Sequence, residues 1–395
     1  MINPFSLARL PRIEFGAGRL ALLPQLVARY GTRVLLVSGA RSLQATAHWN
    51  MLLDGLRKHD IDWDLLHVSE EPSPQLVDAA VAQFRDGGFD LVIGIGGGSV
   101  LDAAKAIAGL LRIGDSVMDY LEGVGPEKPY QGPATPFIAI PTTAGTGSEA
   151  TKNAVLSVHG EQGFKKSFRD EQLVPDYAIV DPDLLTSCPP ELIAANGMDA
   201  LTQLIESYVS LRAGNLTDAL AISGLRAARD GLLSWYEGTG DQAAARSRMA
   251  YAALISGITL AQTGLGSVHG LAAPMGAFFP IPHGVVCGTL VGSATRMNIA
   301  AMHEREPDNP ALGKYARLAE ILCERRIREP EAAYRALTDL LEDWTERLQL
   351  PRLSHYQVQR DDFPRIAANS RGSSMKTNPI VLTDDEIMQV LSERL

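Results

Sequence analysis

The chain has 395 residues, 46% of them hydrophobic and 21% charged, which is ordinary for a globular protein and enough for two domains. A net charge of −10 argues against general binding to nucleic acid or to an anionic membrane. Three widely separated cysteines, no signal-peptide pattern and no uninterrupted apolar run of membrane-spanning length predict a cytoplasmic protein without a disulfide framework.

The first half of the chain alternates short apolar strands with helices. Strands are predicted at 12–15, 33–37, 63–68, 90–94, 136–140 and 177–180, with helices over roughly 44–58 and 75–87. This alternation predicts a parallel sheet with helices on both faces.

From about residue 190 the strand signals stop. Helices are predicted over 191–213, 216–236, 241–263, 284–305, 309–325, 330–347 and 383–394. We therefore predict two domains: an α/β domain at 1–188 and an all-helical domain at 189–395.

A glycine-rich turn follows the predicted strand at 90–94. Gly96, Gly97, Gly98 and Ser99 lie between that strand and a helix that carries Asp102. Glycines let a backbone approach a pyrophosphate, and a helix N-terminus offers free N–H groups. A triple glycine alone also suits a plain structural turn, but its place after a buried strand of an α/β sheet favours a phosphate site.

A second stretch, PTTAGTGSEATKNAV, follows the strand at 136–140. Its small hydroxyl residues and glycines suit either a tight turn or hydrogen bonds to a ribose or pyrophosphate.

Four side chains of the second half suit a divalent cation. Asp199 and Gln203 are four apart in a helical pattern and share one face, while His269 and His283 each precede a glycine. A carboxylate, two imidazoles and an amide oxygen can bind Zn²⁺ or Fe²⁺. On spacing alone, a solvated helix face and two structural histidines remain the commoner explanation.

The sequence motifs around these residues are a more specific signal than the spacing. GMDALTQLIE, HGLAAPMGAFFPIPHG and GGGSVLDAAKA closely resemble the corresponding segments of the iron-containing (group III) alcohol dehydrogenases, and the resemblance runs from PRIEFGAG to SSMKTNP. It implies a dehydroquinate synthase-like fold, in which an α/β NAD(P)-binding domain with a parallel sheet precedes an all-α metal-binding domain. It also implies metal-assisted hydride transfer between a nicotinamide and a small alcohol or carbonyl compound, in a homodimer.

The resemblance also implies roles for individual residues. Asp199, His269 and His283 would be catalytic metal ligands, with Gln203 as a fourth ligand. The residues expected to contact the cofactor are Gly39, Ser42, Gly96, Gly97, Gly98, Ser99, Asp102, Thr142, Thr143, Thr151, Asn153 and Lys165.

Two positions depart from the family pattern. Gln203 stands where the family usually has a third histidine ligand, so we expect weaker binding of Fe²⁺ or Zn²⁺. Ala273 stands where a proton-relay histidine is common, so we expect protons to leave through water and the cofactor ribose.

The choice of dinucleotide depends on the residues after the strand at 33–37. An acidic residue there would bind the ribose 2′-hydroxyl and reject a 2′-phosphate. The sequence instead reads SGARS, in which Gly39, Arg41 and Ser42 suit a 2′-phosphate. We expect NADP to be accepted or preferred, with NAD still allowed.

Three other readings stay open. A metal-independent oxo-acid reductase similar to maleylacetate reductase would use Arg371 and Lys376 to bind a substrate carboxylate. A lyase similar to 3-dehydroquinate synthase would combine NAD with a metal but restore the cofactor in each cycle. A non-catalytic binding module fits the sequence least, because the full set of residues expected to contact the cofactor is present. In each catalytic reading the partner is a small molecule, such as an alcohol, an aldehyde or an oxo acid, rather than nucleic acid or membrane.

Overall fold

The computed structural model describes residues 4–39 and 43–395, which divide into two compact units. Ala8–Val158 and Lys165–Pro189 form the first, here called the α/β unit. His159–Phe164 and Pro190–Leu395, with a short N-terminal segment, form the second, here called the helical unit. Our expected single boundary after residue 188 did not foresee that 159–164 belongs with the later residues.

A six-stranded parallel sheet is the centre of the α/β unit. Its strands are β1 (Arg12–Phe15), β2 (Arg33–Gly39), β3 (Asp62–Val68), β4 (Leu91–Gly96), β5 (Phe137–Pro141) and β8 (Tyr177–Val180). They lie in the order β1-β8-β5-β4-β2-β3, and every pairing is parallel. The predicted parallel sheet is therefore confirmed. A separate two-stranded sheet of β6 (Asn153–Val158) and β7 (Phe164–Arg169) was not predicted.

The strand order predicts which edge of the sheet binds a ligand. From β2 the chain moves to β3 on one side, and then to β4 and β5 on the other. In such sheets ligands bind at the carboxyl ends of the strands where the order reverses. Here that point lies between the end of β2, at Gly39, and the end of β4, at Gly96. Because β4 and β5 are buried along their whole lengths, they read as continuous apolar runs.

Helices cover this sheet. They are α1 (Leu23–Val27), α2 (Ala47–Lys58), α3 (Pro74–Phe84) and α4 (Gly98–Leu110). α3 begins where expected, since the hydroxyl of Ser73 accepts a hydrogen bond from the Leu76 N–H at 3.2 Å and Pro74 occupies the first helical position. α4 starts directly after the glycine turn, with Gly97 as its N-cap.

The helical unit contains nine α-helices within the described residues. They are α5 (Pro190–Val209), α6 (Asn215–Tyr236), α7 (Gln242–Thr263), α8 (Ser267–Phe278), α9 (His283–Arg305), α10 (Pro310–Cys323), α11 (Pro330–Arg347), α12 (Phe363–Asn369) and α13 (Asp384–Glu393). The all-helical second half is confirmed, although α8 and α12 were not among the predicted helices.

The sequence around α8 concealed a helix. Pro274 lies inside it, and a proline removes one helical hydrogen bond. Gly270 made the segment look still more like a loop. In the structure a Cβ at Gly270 would lie 2.9 Å from the Met375 side chain, so this glycine permits close packing within a helix. Tertiary packing therefore overrides a weak local preference.

α9 is both long and apolar. Among the described residues it is the one helix long and apolar enough to cross a membrane, which the sequence reading did not anticipate. Yet 89% of its most apolar window is buried inside the protein. Its apolar character is thus accounted for by its place in the core of the helical unit.

Candidate metal centre and cofactor site

Asp199 lies at the centre of a buried cluster in the helical unit. It is fully buried on α5, and its Oδ1 lies 3.2 Å from Nε2 of His269 on α8 and 3.7 Å from Nε2 of His283 at the start of α9. The structure therefore brings together the three side chains that were expected to bind a metal.

A fourth donor completes the cluster. The sulfur of Cys287, on α9, lies 3.6 Å from Nε2 of His269 and 3.7 Å from Nε2 of His283. One ligand atom from each of Asp199, His269, His283 and Cys287 lies within 4.8 Å of the other three. Oδ2 of Asp199 is buried without a hydrogen-bond partner. A buried, unpartnered carboxylate oxygen among nitrogen and sulfur donors fits a divalent cation.

Glu206 orients His269. Its Oε2 lies 2.6 Å from Nδ1 of His269, and its Oε1 accepts a hydrogen bond from the Val268 N–H at 2.7 Å. A proton on Nδ1 that is donated to a carboxylate leaves the Nε2 lone pair free to bind a metal. Sequence reasoning missed Glu206. Its signal was present, because positions 199, 203 and 206 share one face of a helix.

Gln203 is engaged elsewhere. It is buried on α5, and its Oε1 accepts a hydrogen bond from the hydroxyl of Ser256, on α7, at 2.7 Å. This is the oxygen that was expected to bind the metal. Its role as a ligand stays a prediction.

Glycines allow α9 to approach α5. A Cβ at Gly284 would lie 2.4 Å from the carbonyl oxygen of Ala195, and one at Gly288 would lie 2.7 Å from the Cβ of Met198. Both positions need glycine for this contact. The glycine after His283 therefore has a physical reason: it lets the first turn of α9 lie against the part of α5 that carries Asp199.

The charges of the cluster are coupled. Burial opposes the charged form of Asp199, but the adjacent imidazoles of His283 and His269 hold the pKa of this carboxyl below its usual value. Burial likewise opposes the charged form of His269, yet the adjacent Cys287, Glu206 and Asp199 keep its pKa well above the ordinary value. Burial raises the pKa of Cys287 to about 12. Without a cation, the cluster therefore holds a carboxylate and a neutral thiol.

The α/β unit contains the glycine turn at the predicted ligand-binding edge. A Cβ at Gly96 would lie 2.6 Å from Val100, and one at Gly98 would lie 2.7 Å from Thr146, so protein packing already requires both glycines. A Cβ at Gly97 would meet only Thr143, at 3.4 Å. Gly97 is therefore the glycine that packing explains least. With Ser99 in the first turn of α4, this turn offers free N–H groups to a phosphate.

Lys105 connects α4 to the second cofactor segment. Its buried ammonium donates hydrogen bonds to the carbonyl oxygens of Ser148 at 2.8 Å and Asn153 at 2.7 Å, and to the hydroxyl of Thr151 at 3.2 Å. The Ser148 hydroxyl in turn donates to Asp102 at 2.5 Å. These bonds place Asp102, Thr151 and Asn153 together beside α4. Their roles toward a cofactor stay predictions.

The other expected cofactor residues are more dispersed. The Thr142 N–H donates to the carbonyl oxygen of Gly96 at 2.9 Å, which holds the segment against the glycine turn. The ammonium of Lys165 forms an ion pair with Glu71 at 2.8 Å. Gly39 ends β2, where a Cβ would lie 3.9 Å from Val100 of α4. Ser42 and Arg41 lie outside the described residues.

Arg371, one of the two residues considered for binding an oxo-acid carboxylate, contacts other groups of the protein. The Arg371 guanidinium donates to the carbonyl oxygen of Leu382 at 2.6 Å and pairs with Asp384. Lys376 is exposed. Nothing in these contacts favours a substrate carboxylate at Arg371.

Comparison with known proteins identifies the two halves of the chain consistently. A profile described as iron-containing alcohol dehydrogenase matches residues 11–182. A profile described as Fe-containing alcohol dehydrogenase family, C-terminal, matches residues 193–395. The two matches together cover most of the chain.

Individual relatives agree over nearly full length. NAD-dependent methanol dehydrogenase of Bacillus methanolicus is 30% identical over 390 residues, which is 98% of each chain. Lactaldehyde reductase of Escherichia coli (strain K12) is 32% identical over 358 residues, 89% of each chain. A solved structure of a 1,3-propanediol oxidoreductase superposes with a TM-score of 0.89 at 27% identity over 100% of both chains.

Proposed function

The chain belongs to the iron-containing alcohol dehydrogenase family, and we propose that it is a divalent-metal-dependent, NAD(P)-linked dehydrogenase that interconverts a small alcohol and its carbonyl compound. The observation that carries the proposal is the buried cluster around Asp199, whose Oδ1 faces two imidazoles and whose Oδ2 has no hydrogen-bond partner. The relatives described above act on methanol and lactaldehyde by name, which supports a small substrate.

The residues of the cluster have separate tasks. Asp199, His269 and His283 would hold the cation, and Glu206 fixes which nitrogen of His269 faces it. When bound, the cation supplies Lewis-acid polarisation of the substrate oxygen, and the nicotinamide supplies or accepts the hydride. The side chain of His283 is 26% exposed, whereas those of Asp199 and His269 are 1% and 6% exposed. A small substrate would therefore approach the cluster beside His283.

Proton transfer differs from the pattern expected of the family. Ala273 lies on α8, one turn after His269, and carries no titratable group. We propose that the proton leaves through water and the cofactor ribose. The 26% exposure of the His283 side chain, which opens the cluster to solvent, supports this route.

We propose Zn²⁺ or Fe²⁺, since imidazole and carboxylate donors suit both. We propose that NADP is accepted or preferred, because β2 ends at Gly39 without a carboxylate. A relative that is NAD-dependent by name keeps NAD within the proposal.

We propose that the enzyme is a cytoplasmic homodimer. The three cysteines are free thiols, which supports a cytoplasmic, reducing location. Phe5 and Leu7 are 62% and 52% exposed, and such apolar exposure supports a homodimer.

Activity before and after metal removal tests the proposal. A panel of alcohols, aldehydes and oxo acids would be assayed with NADH, NADPH, NAD⁺ and NADP⁺. We expect chelation to abolish turnover and Zn²⁺ or Fe²⁺ to restore it. We expect His283→Ala to remain inactive after metal addition, whereas His303→Ala, an exposed histidine on the same helix, should behave as wild type.

One result would replace this function. If the chelated wild type keeps full turnover and His283→Ala does too, the metal-independent oxo-acid reductase is the better reading. Net consumption of NAD(P)H during turnover would exclude the lyase reading, because such a lyase restores its cofactor.

A further inference from the structure

The position of Cys287 sets it apart from the other two cysteines. Cys188 and Cys323 donate to backbone carbonyl oxygens, of Thr142 at 3.3 Å and of Ala336 at 3.8 Å. Cys287 instead contacts the Nε2 atoms of both His269 and His283, and it is fully buried. It lies four residues after His283 on α9, so both side chains project from one helix face.

The spacing between donor atoms matches a tetrahedral ion. Zinc binds sulfur at about 2.3 Å, and nitrogen or oxygen at about 2.0–2.2 Å. At tetrahedral angles, a sulfur and a nitrogen with these bond lengths are about 3.6 Å apart, and a nitrogen and an oxygen about 3.4 Å. The observed separations from the Cys287 sulfur to the two imidazole Nε2 atoms are 3.6 and 3.7 Å. Those from the Nε2 atoms to Oδ1 of Asp199 are 3.2 and 3.7 Å.

A second observation independently indicates a ligand. Oδ2 of Asp199 has no hydrogen-bond partner although its residue is fully buried. Leaving a carboxylate oxygen unsatisfied in the interior is costly, and a cation bound by this carboxylate would offset that cost.

The amide that was expected to be the fourth ligand is held by another residue. Oε1 of Gln203 accepts the Ser256 hydroxyl at 2.7 Å. A neutral amide oxygen is also a weaker donor for Zn²⁺ than a thiolate, which is a preferred zinc ligand.

We propose that Cys287 is the fourth metal ligand, so that Asp199, His269, His283 and the Cys287 thiolate together hold a zinc-type ion. This inference rests on the proposed function, because it concerns the same metal centre. Coordination forms a metal–sulfur bond and releases the thiol proton to solvent. A thiolate among the ligands favours Zn²⁺ over Fe²⁺ and compensates for the histidine missing at position 203.

Cobalt substitution gives a direct readout of a sulfur ligand. The chelated full-length protein would be titrated with Co²⁺ and followed by absorption, because a cobalt–thiolate bond produces a near-ultraviolet charge-transfer band. We expect the wild type to show this band at one Co²⁺ per chain. We expect Cys287→Ser to lose the band and to bind Zn²⁺ more weakly, by more than the roughly 10–100-fold typical of a residue outside the ligand set.

Matched variants separate the ligand from general effects on thiols or folding. Cys188→Ser and Cys323→Ser remove the other two free thiols and should retain the band. Gln203→Ala should also retain it. The presence or absence of the band in the wild type is informative by itself, so the test does not depend on whether Cys287→Ser folds. Circular dichroism would report the fold of that variant.

The outcomes distinguish this inference from the proposed function. Co²⁺ binding by the wild type without the band, or undiminished Zn²⁺ affinity in Cys287→Ser, would overturn Cys287 as a ligand and leave the metal-dependent dehydrogenase standing. Loss of the band in Cys188→Ser or Cys323→Ser, with the band retained in Cys287→Ser, would overturn it in favour of another thiol. Failure of the wild type to bind any Co²⁺ or Zn²⁺ would overturn both proposals.

Discussion

The carboxylate of Glu206 lies 2.6 Å from Nδ1 of His269, although the two residues are 63 positions apart in the chain. The contact joins α5 to α8 and fixes the imidazole so that Nε2 faces Asp199. The cluster thus contains two carboxylates with different roles: Glu206 orients the imidazole of His269, and Asp199 is one of the expected metal ligands.

We predict that Glu206→Gln weakens metal binding by roughly 10–100-fold, because an amide neither fixes the imidazole as firmly nor raises its basicity. Competition with a chromophoric chelator would measure the Zn²⁺ affinity. Glu237→Gln, at an exposed glutamate of the same unit, is the control. Equal affinity in Glu206→Gln and wild type would show that this contact is only structural.

Two glycines of the glycine turn have different expected roles, one in cofactor binding and one in packing. We predict that Gly97→Val lowers NAD(P)H affinity at least tenfold while the protein stays folded, since a side chain would occupy the space of a pyrophosphate. Gly98→Ala should instead lower thermal stability, because its Cβ would lie 2.7 Å from Thr146. Fluorescence titration and thermal melts would measure the two effects. Unchanged affinity in folded Gly97→Val would contradict the phosphate site.

Dinucleotide preference provides a third test. We predict that Arg41→Asp shifts the ratio of kcat/KM for NADPH over NADH toward NADH by at least tenfold, because the new carboxylate repels a 2′-phosphate. Steady-state kinetics with both cofactors would measure the ratio. A wild type that uses NADH strictly, together with an unchanged variant, would show that Arg41 has no part in the choice.

A buried glutamate gives a prediction about pH. Burial raises the pKa of Glu149 from 4.5 to about 7. The folded state therefore binds more protons at Glu149 than the unfolded state between these values, so the contribution of this group to stability is greatest below pH 4.5 and is lost as the pH rises through 7. We predict that Glu149→Gln removes this loss and raises the free energy of unfolding at pH 8 by up to about 3 kcal/mol, with little effect near pH 4.5.

Denaturant unfolding at several pH values would measure the effect of Glu149. Glu70→Gln, at an exposed glutamate, should leave the pH profile unchanged. A parallel profile for wild type and Glu149→Gln would contradict the raised pKa. It would mean that the neighbouring ammonium of Lys105 fully compensates the buried carboxylate.

The sequence by itself determined much of the fold. Strand–helix alternation indicated the parallel sheet because strands buried on both faces, such as β4, are continuous apolar runs. The glycine turn was readable because its residues are adjacent in the chain. Asp199, His269 and His283 were identified largely through the sequence motifs that flank them. The family assignment that these motifs implied is confirmed.

The tertiary structure decided which side chains share a site. Glu206 was within reach of sequence reasoning, since it lies on the helix face of Asp199. Cys287 offered a similar signal, since it lies four residues after His283 on α9, but its contact with His269 depends on how α8 and α9 pack. Nor could the sequence reveal that the oxygen of Gln203 bonds to Ser256, 53 residues away. Local patterns encode helices and turns, but contacts between distant residues exist only after packing brings their elements together, and those contacts decide the chemistry of this cluster.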